Sequence, residues 1–325
     1  MRRIACLLLC LALCCALFAC KKTAPDPPGP TTTEAPISEV PAPEENGVTW
    51  RILDLDDESN SENKKWIKDW EEERNRPRET DEFPMGAGKT LIATESRIAL
   101  RDDASGKRTT LLERRYHGDS DDPVQDEVAW TYPDFGKVID ERYFVVTWYG
   151  WEYVAGISVY DTKELREIPI QWDAKDGSPY SFRFYDILDK GLYLVDTEYG
   201  PYFGQLHLMR ADLTQLGALK PGEPLKAVDL LAGIPHAPAE EVSAYELTKN
   251  GRWFIVADRN GLYLFDLQAN ALTALPKTGF GVEMREDWEH VYFSCIAMRD
   301  EHTLYLYGQI DNENFASYMA EITLP

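Results

Sequence analysis

The stretch KNGRWFIVADRNGLYLFDLQANALTAL, Lys249 to Leu275, carries the pattern that decides the fold. A polar turn around Gly251 leads into Trp253–Ala257, a run of aromatic and β-branched residues that suits a strand buried on both faces. A second loop follows, and then Gly261–Leu267 alternates apolar and polar residues as a half-buried strand does. Asp, Asn and Gly occupy the turns, where local hydrogen bonds and positive φ are required.

Sliding the chain against itself returns the same unit at Phe83–Leu112, Val138–Ile170, Tyr185–Asp212 and Val282–Ile310. Each copy has a polar turn, an apolar strand, a loop, a second strand, and then another turn with a short strand. The helical signal is confined to SENKKWIKDWEEERNR, near residues 61–75, where Trp66, Ile67 and Trp70 share a face and Ser61 suits the N-cap.

Repeated four-stranded antiparallel units of about 40–60 residues predict an all-β chain folded as a β-propeller, a ring without long exposed edges. Five copies predict five blades. VTWRILDL, from Val48, could supply a strand that closes the ring, and the interval Leu213–Val242 has room for more, so the expected range is five to seven. A two-sheet sandwich is the rival all-β fold. The order of turn, strand, loop and strand in Lys249–Leu275 resembles TolB-type and WD-repeat propellers, and the resemblance extends over most of residues 85–325. It implies the architecture and not an activity, since this fold hosts many. The chain departs from the WD pattern in lacking a regular Trp-Asp dipeptide and even spacing.

Before the repeats, Met1-Arg2-Arg3 precedes a short apolar run rich in Leu, Ala and Cys, which reads as a secretory signal over residues 1–19. Its end, Leu17-Phe18-Ala19-Cys20, resembles the lipobox of bacterial lipoproteins, and the resemblance implies cleavage before Cys20 and lipidation of its thiol. Residues 20–46 are rich in Pro, Thr and acids and poor in large apolar side chains, as in an extended tether. Residues 47–325 have the composition of one large domain. Lys21 does not resemble the Asp-based signal that retains lipoproteins in an inner membrane. The expected place is therefore the extracytoplasmic side of a membrane, at the cell surface or in the periplasm. Cys6, Cys10, Cys14 and Cys15 leave with the signal, so Cys295 is the one thiol left in the domain, in an apolar run that predicts burial.

The formal charge is −22, and loss of Arg2 and Arg3 takes it to −24. Such a balance disfavours nucleic acid and anionic lipid as partners. DLDDESNSENKK and HGDSDDPVQDEV lack the Gly and closing Glu of a calcium loop, and the five histidines show no metal-ligand spacing. Met85–Thr90, MGAGKT, ends like a phosphate-binding loop, but Phe83 stands where the first Gly belongs and a strand-like segment follows instead of a helix. The repeat alignment makes Gly86–Gly88 a hairpin turn. Neither a cofactor, a metal nor a nucleotide is expected.

Two sets of residues carry candidate chemistry. TWYGWEYVAG and DTEYGPYFGQ occupy equivalent places in two copies and bring Trp148, Tyr149, Trp151, Tyr153, Tyr199, Tyr202 and Phe203 toward one face. Rigid aromatics there either stack on a glycan or grip a protein, or pack on one another to order long hairpins. Asp186, Glu246 and Glu283 each precede a turn and are candidates to line a channel. Paired carboxylates there could hydrolyse glycosides, or tie blades together. The sequence favours a non-enzymatic protein- or glycan-binding scaffold, with a propeller hydrolase as the alternative.

Overall fold

The computed structural model describes residues 44–53, 61–74, 81–117, 130–150, 154–172, 182–196, 206–236, 242–258, 261–276, 291–310 and 316–325. The chain divides into Met1–Pro41 and Ala42–Pro325, and the described residues all belong to the second unit. The unit is mostly β. It opens with β1 (Glu44–Glu45), β2 (Val48–Leu53) and a helix, α1 (Ser61–Arg74), within the segment where the helical signal lies.

Four-stranded antiparallel meanders follow in chain order. The first sheet is β3 (Asp81–Gly86), β4 (Lys89–Thr94), β5 (Arg97–Asp102) and β6 (Arg108–Glu113). After the short β7 (Arg115–Tyr116), the second is β8 (Trp130–Val138), β9 (Tyr143–Tyr149), β10 (Val154–Asp161) and β11 (Arg166–Trp172). The third is β12 (Phe182–Leu188), β13 (Gly191–Asp196), β14 (Leu208–Asp212) and β15 (Leu225–Asp229), and the fourth is β16 (Ala244–Leu247), β17 (Trp253–Ala257), β18 (Gly261–Asp266) and β19 (Ala271–Pro276). In the fifth, β20 (Val291–Met298), β21 (Thr303–Ile310) and β22 (Ala316–Thr323) are completed by β2, which pairs Thr49 with Thr323 through Leu53 with Met319. The segment expected to close the fold thus joins the last sheet. The interval after Leu213 holds β15 and a 3₁₀ turn, Leu213–Ala218.

The second and third sheets are continuous. β11 pairs with β10 up to Pro169, and then its residues Ile170–Trp172 pair in parallel with Leu225–Ala227 of β15. One strand thereby covers the edge of the neighbouring sheet, an arrangement that blunts edge-to-edge association.

The apolar runs are explained by packing on two sides. In β17, Trp253, Ile255 and Ala257 enter a core shared with the fifth sheet, while Phe254 and Val256 enter one shared with the third. In β13, Leu192 and Leu194 face the second sheet, and Tyr193 and Val195 face the fourth. In β9, Tyr143 and Val145 meet the third sheet, and Phe144, Val146 and Trp148 meet the first. Each middle strand therefore buries both faces, which erases the alternation expected of a sheet with one wet face. Cys295 is a buried thiol in β20.

The repeat is exact enough in its backbone to be read in hydrogen bonds. In every sheet the first residue of the second strand pairs with the last residue of the third: Lys89 with Asp102, Tyr143 with Asp161, Gly191 with Asp212, Trp253 with Asp266, Thr303 with Thr323. The next N–H then donates across to the carbonyl before the second strand. These bonds are Asp103 to Gly88 (2.9 Å), Thr162 to Arg142 (3.0 Å), Leu213 to Lys190 (2.9 Å), Leu267 to Arg252 (2.9 Å) and Leu324 to His302 (2.7 Å). In the first four sheets the paired residue is an aspartate whose carboxylate accepts N–H groups of the following turn: Ser105, Lys163 and Glu164, Thr214, and Gln268 and Ala269. The fifth sheet has Thr323 there. Its outer strand arrives from the other end of the chain, so no turn follows that needs a cap.

Two of these aspartates are also clamped from the side. Arg142 donates to both oxygens of Asp161 (2.8 and 2.5 Å), and Arg252 donates to Asp266 (2.8 Å through its terminal nitrogen). The same turns begin the second strands, so each clamp locks two turns of one sheet together. MGAGKT falls at the equivalent place in the first sheet. Gly86, Ala87 and Gly88 all have positive φ (80°, 49° and 69°), and Lys89 opens β4. Glycine at both flanking positions meets that backbone without strain.

Contacts between sheets put these tight turns at one common end. Gly86 lies against the Glu141 side chain, Arg166 donates to the carbonyl of Leu219 (3.0 Å), and Arg252 donates to the carbonyl of Pro325 (3.4 Å). The end of β13 and start of β14, and the end of β19 and start of β20, which flank two long intervals, lie at the opposite end.

Candidate functional site

The first strands of the second, third and fourth sheets, β8, β12 and β16, are stitched side by side by polar groups. Lys137 on β8 pairs with Asp186 on β12 (2.5 Å), and Asp186 also accepts the N–H of Ile187. Both partners are substantially exposed, so the pair contributes little stability. The next link is drier. The Tyr185 hydroxyl donates to Glu246 (2.9 Å) and accepts the N–H of Leu247 (2.9 Å), with the Tyr185 and Tyr245 ring centroids 5.7 Å apart. Burial pushes the Tyr185 phenol far above its ordinary range, and the negative charge of Glu246 adds to the effect. Tyr185 is therefore a neutral donor across the physiological range. Tyr185→Phe leaves a carboxylate and an N–H without this partner, and should lower stability by about 1–3 kcal/mol in urea unfolding.

Asp186 and Glu246, picked out as candidate acids, are thus each engaged by a neighbouring sheet. Glu283 lies outside the described residues. The alignment that placed it beside the other two is out of step, because the first strand of the fifth sheet is β20 and its turn is Arg299–His302.

At the starting ends of the same strands, opposite the tight turns, a second cluster forms. Tyr132 on β8 stands across from Tyr149 at the end of β9. Tyr149 is 37% exposed, one of few large apolar side chains left open among the described residues. Burial of its hydroxyl nevertheless pushes the phenol up, the charge of Asp134 on β8 adds to this, and Arg183 on β12 opposes it. Tyr245, from β16, also lies within electrostatic reach. Three sheets therefore contribute aromatic surface, one acid and one guanidinium to a single neighbourhood. Flat phenol rings can cover the apolar face of a ligand while Asp134 and Arg183 bond its hydroxyl or carbonyl groups.

Trp148, adjacent in sequence, has a different place. It is buried in the core between the first and second sheets, donates its indole N–H to Glu167 (3.1 Å), and lies 3.7 Å from the Arg115 guanidinium. Arg115 and Ser158 also bond Glu167. This is an anchoring role for β7. Cys20, Trp151, Tyr153, Tyr199, Tyr202 and Phe203 lie outside the described residues. The strand ends that flank the two aromatic segments, Tyr149 and Val154, and Asp196 and Leu208, lie at the same end as the Tyr149 cluster.

Asp134, Arg183, Tyr132 and Tyr245 were not legible as a site. Each sits in a strand whose local pattern accounts for it, and they meet only through the packing of three sheets. The available signal was a charged residue inside a first strand, Asp134 and Arg183 both being exposed there. Among the described residues no three His, Cys, Asp or Glu side chains converge to hold a metal ion, and no helix is long and apolar enough to cross a membrane.

Comparison with known protein families and with curated proteins returns no match. Among solved structures the chain is distantly similar to the extracellular domain of BT4673 from B. thetaiotaomicron, at 11% identity and TM-score 0.38 over 75% of this chain. It spans 27% of that protein's length. It is also similar to a luciferin-regenerating enzyme (12% identity, TM-score 0.35, 74% of this chain and 76% of that one). A third likeness is to the hydrazine synthase of Kuenenia stuttgartiensis (12%, 0.37, 72% and 56%).

Proposed function

We propose that this protein is an extracytoplasmic lipoprotein, held by a lipid on Cys20, whose five sheets form a five-bladed propeller that binds a glycan or protein of the cell envelope without transforming it. The ring reading is supported by the five equivalent cross-turn hydrogen bonds, by cores between successive sheets, and by the N-terminal strand in the last sheet. The observation that carries the binding reading is the half-exposed Tyr149, set with Asp134, Arg183 and Tyr245 at the starting ends of strands from three sheets. Those strands would line the mouth of the channel, at the end that bears the long aromatic segments. Binding is favoured over hydrolysis because Asp186 and Glu246 are engaged by Lys137 and Tyr185.

The test is retention of envelope glycans and detergent-solubilised envelope proteins on the immobilised protein. Tyr149→Ala and Arg183→Ala should each weaken capture of the retained partner at least about tenfold, the loss of roughly 1.4 kcal/mol, while melting as wild type does. Wild-type capture by both variants would remove this site from the function.

A further inference from the structure

The end of the domain that carries the tight turns has a chemistry of its own. Lys89, Lys107, Lys163, Lys190, Lys220 and Lys249 are all exposed there, drawn from the turns of four successive sheets, and none makes an ion pair among the described residues. Carboxylates are present at the same end, but most are short and tied back. Asp102, Asp140, Asp161, Asp212, Asp266 and Asp300 all accept backbone N–H bonds from their own turns. Glu164 is held by Arg142 and Arg166, and Asp103 by Arg101 and Thr90. Glu223 accepts the N–H of Lys220, and it, Glu141, Asp189 and Glu301 remain exposed between the lysines. Lysine stems project their charge beyond a capping aspartate, so this end presents amines farther out than its turn-capping carboxylates. The rest of the chain is strongly acidic, as in the stretch HGDSDDPVQDEV between β7 and β8.

The chain also reaches the domain at this end. β1 pairs with β2 at Glu44–Thr49 and Glu45–Val48, and the turn between them touches Pro325, with Gly47 against its ring. With a lipid on Cys20, as proposed above, the domain works beside the membrane that anchors it. A mostly acidic body kept that close to an anionic surface is repelled over most of its area. The face with projecting lysines and recessed carboxylates is the one attracted.

We propose that the tight-turn end is the face this domain turns toward a membrane of anionic phospholipid, with the six lysines over the headgroups and the Tyr149 end directed away. The proposal rests on the lipid-anchor reading. The experiment reconstitutes the full-length mature protein in phosphatidylcholine vesicles with and without phosphatidylglycerol, and maps amine acylation lysine by lysine by mass spectrometry. The six lysines should be protected several-fold only when phosphatidylglycerol is present, and salt at about 1 M, where the screening length falls to about 3 Å, should abolish the protection. Lys163→Glu together with Lys190→Glu, both on exposed turns, should remove most of it at unchanged melting temperature.

The mass of the N-terminal peptide tests the anchor separately. A lipidated chain whose six lysines label equally in both vesicles overturns this orientation and leaves the anchor intact. An unlipidated Cys20 refutes the anchor reading, and with it the orientation. Protection by soluble polyphosphate but not by vesicles would also overturn it, pointing to a polyanion in place of a membrane.

Discussion

Deletion of Glu44–Leu53 should abolish cooperative unfolding of the domain and leave it aggregated in gel filtration. Trp50→Ala alone should lower stability by about 3–5 kcal/mol. β2 does two jobs in the fifth sheet. Its backbone fills the edge of β22 over Thr49–Leu53, and without it a row of N–H and C=O groups stands open beside the apolar residues of that sheet. Its side chains then complete the core between the fourth and fifth sheets, where Val48 is fully buried and Trp50 is 8% exposed among Trp253, Leu264, Leu306 and Ile322. Supplying the peptide Glu44–Leu53 in trans should restore a folded, monodisperse species. Normal unfolding of the truncated chain would mean that the fifth sheet is complete without β2.

The second large effect is expected at the clamp between Arg142 and Asp161. Asp161 is completely buried, receives two bonds from Arg142, and caps the turn through Lys163 and Glu164. Asp161→Ala should cost about 3–5 kcal/mol, because an arginine and two N–H groups lose their acceptor together. The lower part of that range is expected, since Arg142 can still reach water. Urea denaturation of the variant beside wild type measures it.

The same site fixes the direction of an acid effect. Burial alone would raise the Asp161 carboxyl, but the guanidinium of Arg142 and the turn N–H groups outweigh it and hold the group below its ordinary 3.8. Asp266 follows the same logic with Arg252. A carboxylate whose folded value is depressed stabilises the fold fully above its unfolded value, and that contribution is lost as the pH falls toward the folded one. Wild-type stability should therefore decline below about pH 4–5, and Asp161→Asn, which cannot titrate, should show a shallower decline. Parallel curves would assign the acid sensitivity elsewhere.

How far these features were legible in the sequence differs between the sheets and the site. The run Trp253–Ala257 was readable as a strand buried on both faces because alternate residues serve two different cores, a fact with a direct signature in composition. The five repeated segments correspond to the five meanders for the same reason. The fifth was read one strand out of step: Val291–Met298 is as apolar as any second strand, yet it is the first, and nothing in its own residues says so. Turn-capping aspartates were visible as letters, but their absence at Thr323 acquires meaning only once the outer strand is known to come from the N-terminus. The Tyr149 cluster was half legible. Tyr149 stands out as an aromatic at a strand end, while Asp134 and Arg183 reach it from strands that no local pattern connects.

The pairing of β2 within the last sheet also decides how the domain answers to force. A pull on the chain preceding Glu44, directed away from the tight-turn end, first opens the two pairs of β1 with β2 one after the other, as a zipper opens, at little resistance. Beyond the turn the load passes to β2 along its own axis, and the bonds between Thr49–Leu53 and Met319–Thr323 are then strained together in shear. A short weak step followed by a strong one lets the segment before β2 lengthen slightly under tension while the domain behind it stays whole.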